Sequence, residues 1–308
     1  FARREYAATA PWLTPGLVVV ESTNVAGNQL RLQVLESAAT NPPTAIAAAE
    51  KATREPPPRS RLDAMAFFKK HFYGYEPFYF IVGPDSPNAK FQLSFKYRLV
   101  DSNGASGWRN QLSHTYVAYT QTSLWDLSKP SAPFLDSSYK PEAFYYRPDI
   151  ISGTPDWLDL GFQTGFQHES NGRDLGASRS LNLLYFKPII HFEKPIGTSN
   201  SLEVVIAPRA WVYVMDLSDN PDIARYRGYS DLRTTVGMPD IFQLGSTLRV
   251  GDRFDRASLM LDLAIPVYGR NLPLTPYLYF QYFIGYGESL LFYKEREPFF
   301  RVGFALFP

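Results

Sequence analysis

Within the stretch DWLDLGFQTGFQHESNGRD, from Asp156 to Asp174, a histidine and a serine stand two residues apart, His168 and Ser170. On a β-strand that spacing puts both side chains on one face, with Cα atoms about 7 Å apart. An imidazole and an alcohol so placed can act as base and nucleophile. Serine keeps its proton at neutral pH and attacks only if a neighbouring base removes it as the new bond forms. By itself His-x-Ser is a weak signal, and a rim histidine beside a loop serine is its commoner origin. His71, His114 and His191 have no serine at a useful spacing and read as interface or lumen residues.

The strand that carries the pair raises a difficulty. Leu158, Leu160, Phe162, Thr164 and Phe166 fall on one face at period two, and Asp159, Gly161, Gln163, Gly165, Gln167 and Glu169 on the other. His168 and Ser170 continue the apolar series. In a water-soluble fold this would bury two reactive polar groups in a core. On a wall facing lipid it would present them to the membrane, where a polar group is costly unless it has a use.

Segments of about ten alternating residues, separated by turn chemistry, recur along the last three-quarters of the chain. They are expected at 75–82, 90–99, 113–127, 139–146, 157–167, 179–192, 202–215, 226–236, 242–250, 257–267, 276–287 and 299–307. DSNG at Asp101–Gly104 and GTSNS at Gly197–Ser201 read as short turns, and the surroundings of Pro221 as a longer loop. The expected fold is all-β, a twelve-stranded antiparallel transmembrane β-barrel over residues 65–308, preceded by an N-terminal extension over residues 1–64. That extension reads as a hairpin, 16–21 with 29–36, followed by an Ala/Pro-rich linker over 37–61 that could hold a short helix at 45–54. Two features fit the alternation badly: Leu181, Leu183 and Leu184 blur the faces of the sixth strand, and Pro188 lies inside it. A large soluble β-sandwich or propeller is the competing architecture.

Composition narrows the class. The chain has 31 basic and 30 acidic residues, so no electrostatic footprint points to nucleic acid. It has no cysteine, which excludes disulfides, thiolate catalysis and zinc–thiolate sites. Its 23 Phe and 20 Tyr suit aromatic girdles at two membrane–water interfaces. No apolar run reaches the roughly 18–20 residues of a spanning helix. The chain opens at Phe1 with no visible charged, apolar leader, and Pro308 follows the terminal phenylalanine expected of outer-membrane barrels.

The local text says more than the pair. His168-Glu169-Ser170-Asn171-Gly172-Arg173, then Ser178-Arg179-Ser180 and Asn182 with Tyr185, resembles the signature of the outer-membrane phospholipase A family. Tyr119-Thr120-Gln121 with Trp125, Ser131 with Pro133-Phe134, Asp219-Asn220-Pro221-Asp222-Ile223, and Gly285-Tyr286-Gly287-Glu288-Ser289-Leu290 extend the likeness over roughly residues 73–307. Leu124 departs from it, standing where a second large aromatic is expected. The resemblance implies a twelve-stranded barrel of the bacterial outer membrane and a calcium-dependent phospholipase A1/A2 acting on phospholipids and lysophospholipids, active as a homodimer. Ser170 would be the nucleophile, His168 the base, Asn182 the group that orients the imidazole, and the Gly172 N–H part of the oxyanion hole. Calcium would be held by Arg173, through its main-chain carbonyl, and by Ser178, with Ser131 from the second subunit; Asp219 would add a carboxylate. Gln121 would lie at the dimer contact.

An asparagine in the orienting role carries no charge to steady an imidazolium. In serine proteases the exchange of Asp for Asn costs about 10⁴ in turnover, so another positive group near the oxyanion becomes valuable. Two other readings compete: a non-enzymatic barrel acting as a pore or binding protein, and a soluble serine hydrolase. No Gly-x-Ser-x-Gly elbow is present, which weighs against the commonest form of the last.

Overall fold

Alternation of apolar and polar residues lets a strand face two solvents, and a ring of such strands needs no free edge. The computed structural model describes residues 71–100, 107–151, 154–197, 200–269 and 275–306. The expected hairpin, linker and helix of residues 1–64 lie outside the described residues, as do the DSNG turn and part of GTSNS.

The strands are β1 (Phe72–Gly74), β2 (Phe78–Val82), β3 (Ala89–Arg98), β4 (Thr115–Trp125), β5 (Phe134–Arg147), β6 (Leu158–Ser170), β7 (Ser180–Ile196), β8 (Asn200–Val214), β9 (Ser230–Met238), β10 (Phe242–Val250), β11 (Ala257–Pro266), β12 (Tyr277–Tyr286) and β13 (Arg296–Leu306). From β2 onward each strand pairs antiparallel with the next, and β13 returns to β2, Val302 opposite Val82. β1 and β2 both lie against β3, at Phe95–Tyr97 and Ala89–Gln92. They are two pieces of one opening strand interrupted around Pro77. The result is a closed barrel of twelve strands. Most expected boundaries shift by a few residues, and one changes type: residues 223–227 form a short helix, and the strand begins only at Ser230.

Side chains divide as the pleat requires. Phe78, Phe80, Leu184, Phe186, Val212, Phe300 and Phe304 stand exposed on the outer wall. Charged groups turn inward and find partners: Arg301 with Glu288 at 2.6 Å, Arg209 with Asp231 at 2.6 Å, Arg233 with Glu76 at 2.5 Å, and Lys90 with Gln281 at 2.7 Å. Pairing is what makes such charges tolerable inside a wall of low dielectric.

The two blemishes in the alternation have structural causes. Leu181 and Leu183 face inward, into an apolar cluster with Trp211, Ile223, Leu290 and Tyr293. Ile223 and Leu290 come from loops folded into the barrel mouth, so this part of the lumen is a small core, and inward positions there are apolar. Pro188 is answered by a second proline. The β7–β8 register, Phe186↔Ala210 and Ile190↔Ile206, sets Pro188 across from Pro208, where pairing lapses. Neither residue has an N–H to leave unpaired there.

Strands with even numbers from β2 to β12 all end at the rim where β6 ends in Ser170. That rim carries the loops 126–133, 171–179, 215–229, 251–256 and 287–295. A helix α1 (Trp108–Leu112) lies at the other rim, and α2 (Ile223–Arg227) lies at the Ser170 rim.

Candidate functional site

The β6–β7 register pairs His168 with Asn182 and Ser170 with Ser180, on the outer face. His168 Nδ1 lies 2.8 Å from Asn182 Oδ1. The amide oxygen can only accept, so Nδ1 donates and the lone pair is left on Nε2, the nitrogen a base would use. Ser170 is half-buried, and its Oγ makes no hydrogen bond among the described residues. Imidazole and amide are therefore joined in this structure, and imidazole and hydroxyl are not. Catalytic hydrogen bonds often shorten only when substrate is bound.

β5 supplies the other flank. Tyr139 pairs with Ser170, and regular pairing resumes at Glu142↔Gln167, after Pro141. Gly172 has φ +64°, and a Cβ there would come within 2.9 Å of the Tyr139 ring. Both the backbone shape and the aromatic neighbour demand glycine. Its N–H is hydrogen-bonded to no group among the described residues, which leaves it available as an oxyanion donor.

The loop after Ser170 is stapled by Asn171, which is buried. Its Nδ2 donates to the Ala177 carbonyl at 2.9 Å, and its Oδ1 accepts from the N–H groups of Arg179, at 2.9 Å, and Arg173, at 3.4 Å. Arg173 in turn donates from its guanidinium to the carbonyls of Leu135, at 2.5 Å, and Phe134, at 3.3 Å, tying the loop to the start of β5. Asn171 was missed as a functional candidate because an Asn-Gly pair reads as an ordinary turn. The available signal is that one side chain has to close the nine-residue loop 171–179.

The calcium expectation can be tested against the donor set. Ser178 Oγ donates to Asp219 Oδ2 at 2.6 Å, bringing together two residues that are 41 apart in the chain. Both are oxygen donors, as is the Arg173 carbonyl, and a hard divalent cation prefers such ligands. The set fits calcium. Among the described residues no three His, Cys, Asp or Glu side chains gather, so a site here depends on serine and main-chain oxygens. Ser131 lies in the β4–β5 loop with φ +66°, and it makes no hydrogen bond to Arg173 or Ser178.

The loop holding Asp219 is itself fixed at several points. Asn220 is fully buried and its Oδ1 accepts from the Ser180 N–H at 2.9 Å. Asp222 lies 2.8 Å from Lys294 and accepts from Tyr293. Burial pushes the Asp222 carboxyl up, but the hydrogen bonds from Lys294 and Tyr293, with the charge of Lys294, outweigh it and hold the group below its ordinary range. Beneath the site, Glu169 points into the lumen and meets Ser138 at 2.6 Å and Arg227 at 3.0 Å.

Gln121 is on the outer face of β4. Its amide oxygen accepts from Tyr119 at 3.0 Å and its nitrogen donates to Ser123 at 3.2 Å. Leu124 turns inward and is buried, so an aromatic at that position would fill the lumen.

Comparison with known proteins bears on this geometry. A family model described as phospholipase A1 matches residues 75–306. A putative phospholipase A1 of Neisseria meningitidis is 31% identical over 218 residues, 68% of this chain and 51% of that protein. The chain thus spans about half the length of that relative. Phospholipase A1 of Klebsiella pneumoniae is 32% identical over 226 residues, 70% of this chain and 68% of that one. Among solved structures, outer membrane phospholipase A from Escherichia coli superposes with a TM-score of 0.62 at 25% identity, covering 78% of this chain and 96% of that one. A Salmonella typhi outer membrane phospholipase dimer with bound calcium also scores 0.62 at 25% identity, covering 76% and 92%.

Proposed function

This chain belongs to the phospholipase A1 family and is an outer-membrane β-barrel enzyme; from that premise we propose that it hydrolyses acyl esters of phospholipids and lysophospholipids through Ser170, His168 and Asn182, with calcium and as a homodimer. The observation that carries this reading is the 2.8 Å contact between His168 and Asn182 on the lipid-facing wall, one step along the strand from Ser170. A reactive pair directed at lipid makes chemical sense when lipid is the substrate.

Asn182 holds the imidazole in the tautomer with Nδ1 protonated. Nε2 of His168 then takes the Ser170 proton as Oγ bonds to the acyl carbonyl carbon. The Gly172 N–H faces the charge that develops on the carbonyl oxygen. As the ester C–O bond breaks, His168 passes the proton to the departing alcohol, leaving an acyl-serine. Water, deprotonated by the same nitrogen, releases the fatty acid and restores Ser170.

Arg173 (through its carbonyl), Ser178 and Asp219 would hold calcium, with Ser131 of the second subunit. The ion would supply the positive charge that an asparagine-based triad lacks. The Salmonella relative, a calcium-bound dimer, supports both features. Gln121, an amide on the outer wall, would favour pairing across subunits.

The deciding experiment is fatty-acid release from phospholipid micelles with calcium, comparing the parent chain with Ser170→Ala. Loss of at least 10³-fold with unchanged folding is expected. Retained activity in the variant would overturn the assignment. Chelation by EGTA should abolish release, and added calcium should restore it.

A further inference from the structure

Five non-glycine residues among those described have left-handed backbone angles: Ser131, Ala132, Leu175, Met215 and Phe254. All five are in loops of the Ser170 rim. The three large apolar ones are also the most solvent-exposed apolar groups in the described barrel, Leu175 at 88%, Phe254 at 85% and Met215 at 75%. A bulky residue seldom adopts φ values of +50° or +65°, as Leu175 and Met215 do. Such conformations persist where the surrounding structure imposes them, and they concentrate at functional sites. Strained backbone, apolar type and full exposure coincide here.

Two of the three lie in loops that adjoin the strands around the proposed nucleophile. Leu175 lies in the loop that begins directly after Ser170. Met215 follows Val214, which pairs with Asn182, which pairs with His168. Met215 is therefore at the level of the reactive pair, two strands along the wall. Gln121 on β4 lies two strands from β6 in the opposite direction.

Below this rim the outer wall is continuously apolar: Phe166 pairs with Leu184, and Leu184 with Val212. Leu184 and Val212 are exposed. The lip prolongs a surface already in contact with lipid, on the flank away from Gln121. A bilayer lipid is the occupant this continuity selects.

We propose that Leu175 and Met215 form an apolar lip that enters the membrane leaflet nearest the Ser170 rim and receives the acyl portion of a bilayer lipid, steering it toward the reactive pair. The contact with lipid follows from position and chemistry; its purpose rests on the reading of Ser170 as nucleophile.

The absence of native cysteine allows a direct test. Leu175→Cys and Met215→Cys, each labelled with an NBD fluorophore, are folded into phosphatidylcholine–phosphatidylglycerol vesicles at high lipid-to-protein ratio, with Asp156→Cys at the other rim as reference. Both lip positions should emit at shorter wavelength than the reference. Both should be quenched at least twofold more by doxyl-labelled phosphatidylcholine. Water-like, unquenched emission overturns the proposal. So does a blue shift that grows only as cross-linking detects dimers, because the occupant is then a second copy of this chain.

A second arm uses the double variant Leu175→Asn, Met215→Asn, since asparagine tolerates left-handed angles. Its kcat/KM on long-chain phospholipid vesicles should fall at least fivefold, with turnover of a short-chain monomeric ester unchanged. Equal loss on both substrates, or loss on neither, overturns the steering role. If the parent chain releases no fatty acid at all, the functional reading fails, while the fluorescence still decides the lip.

Discussion

The two faces of β6 are built on opposite plans. Inward, Gln163 donates to the hydroxyls of Tyr75 and Tyr185, both at 2.6 Å, Gln167 reaches Glu142 at 3.2 Å, and Glu169 is held by Ser138 and Arg227. Outward, the same strand shows Leu158, Leu160, Phe162 and Phe166, then His168 with one hydrogen bond and Ser170 with none among the described residues. The lumen side restrains the strand, and the outer side keeps its reactive atoms free. A polar network that would be costly if half-satisfied is here closed on nearly every member, which makes it a stiff support.

Removal of the lumenal restraint should have the largest effect. Glu169→Ala leaves Arg227 facing no carboxylate and should destabilise the barrel by about 3 kcal/mol, read from urea unfolding in vesicles. Turnover is expected to fall as well, because Glu169 sits between His168 and Ser170 on the backbone. Unchanged stability and activity would break the comparison.

Asn182→Ala acts on the outer face only. It should lower kcat roughly 100-fold, the scale of general-base catalysis, with KM and unfolding midpoint unaltered. A matching loss of stability would show that the outer face is also structural.

Smaller changes sharpen the contrast. Ser138→Ala removes one hydrogen bond to Glu169 and should cost about 1 kcal/mol in the same unfolding assay. Leu184→Ala, on the lipid-facing wall away from any polar partner, should leave kcat unchanged in detergent.

The strands were legible because lipid and lumen impose opposite preferences on successive residues. Phe242–Val250 falls where alternation placed it, and the ends of most others shift by a few residues. Alternation failed where a third environment intruded. Leu181 and Leu183 pack under Ile223 and Leu290, and nothing local announces that two distant loops fold into the barrel mouth. The helix at Ile223–Arg227 was missed for the same reason. It is short, and its burial depends on β7, β8 and the 287–295 loop.

The site divides along the same line. His168 and Ser170 stand out by spacing, Asn182 enters only through the family resemblance, and pairing of β6 with β7 brings His168 and Asn182 together. The roles of Asn220 and Arg227 are not visible in the sequence, because each acts through a partner distant along the chain: Asn220 reaches Ser180, and Arg227 reaches Glu169.

By itself the sequence determined a set of alternating strands, with His168 and Ser170 on the apolar face of one of them, since period-two alternation fixes which side chains share a face. Closure of the ring decided the rest. It set Ser178 against Asp219, set Glu169 against Arg227, and put Leu175 and Met215 in loops of the rim where Ser170 lies. Such contacts join strands and loops whose neighbourhood depends on the curvature of the whole wall, and curvature is a property of twelve strands together.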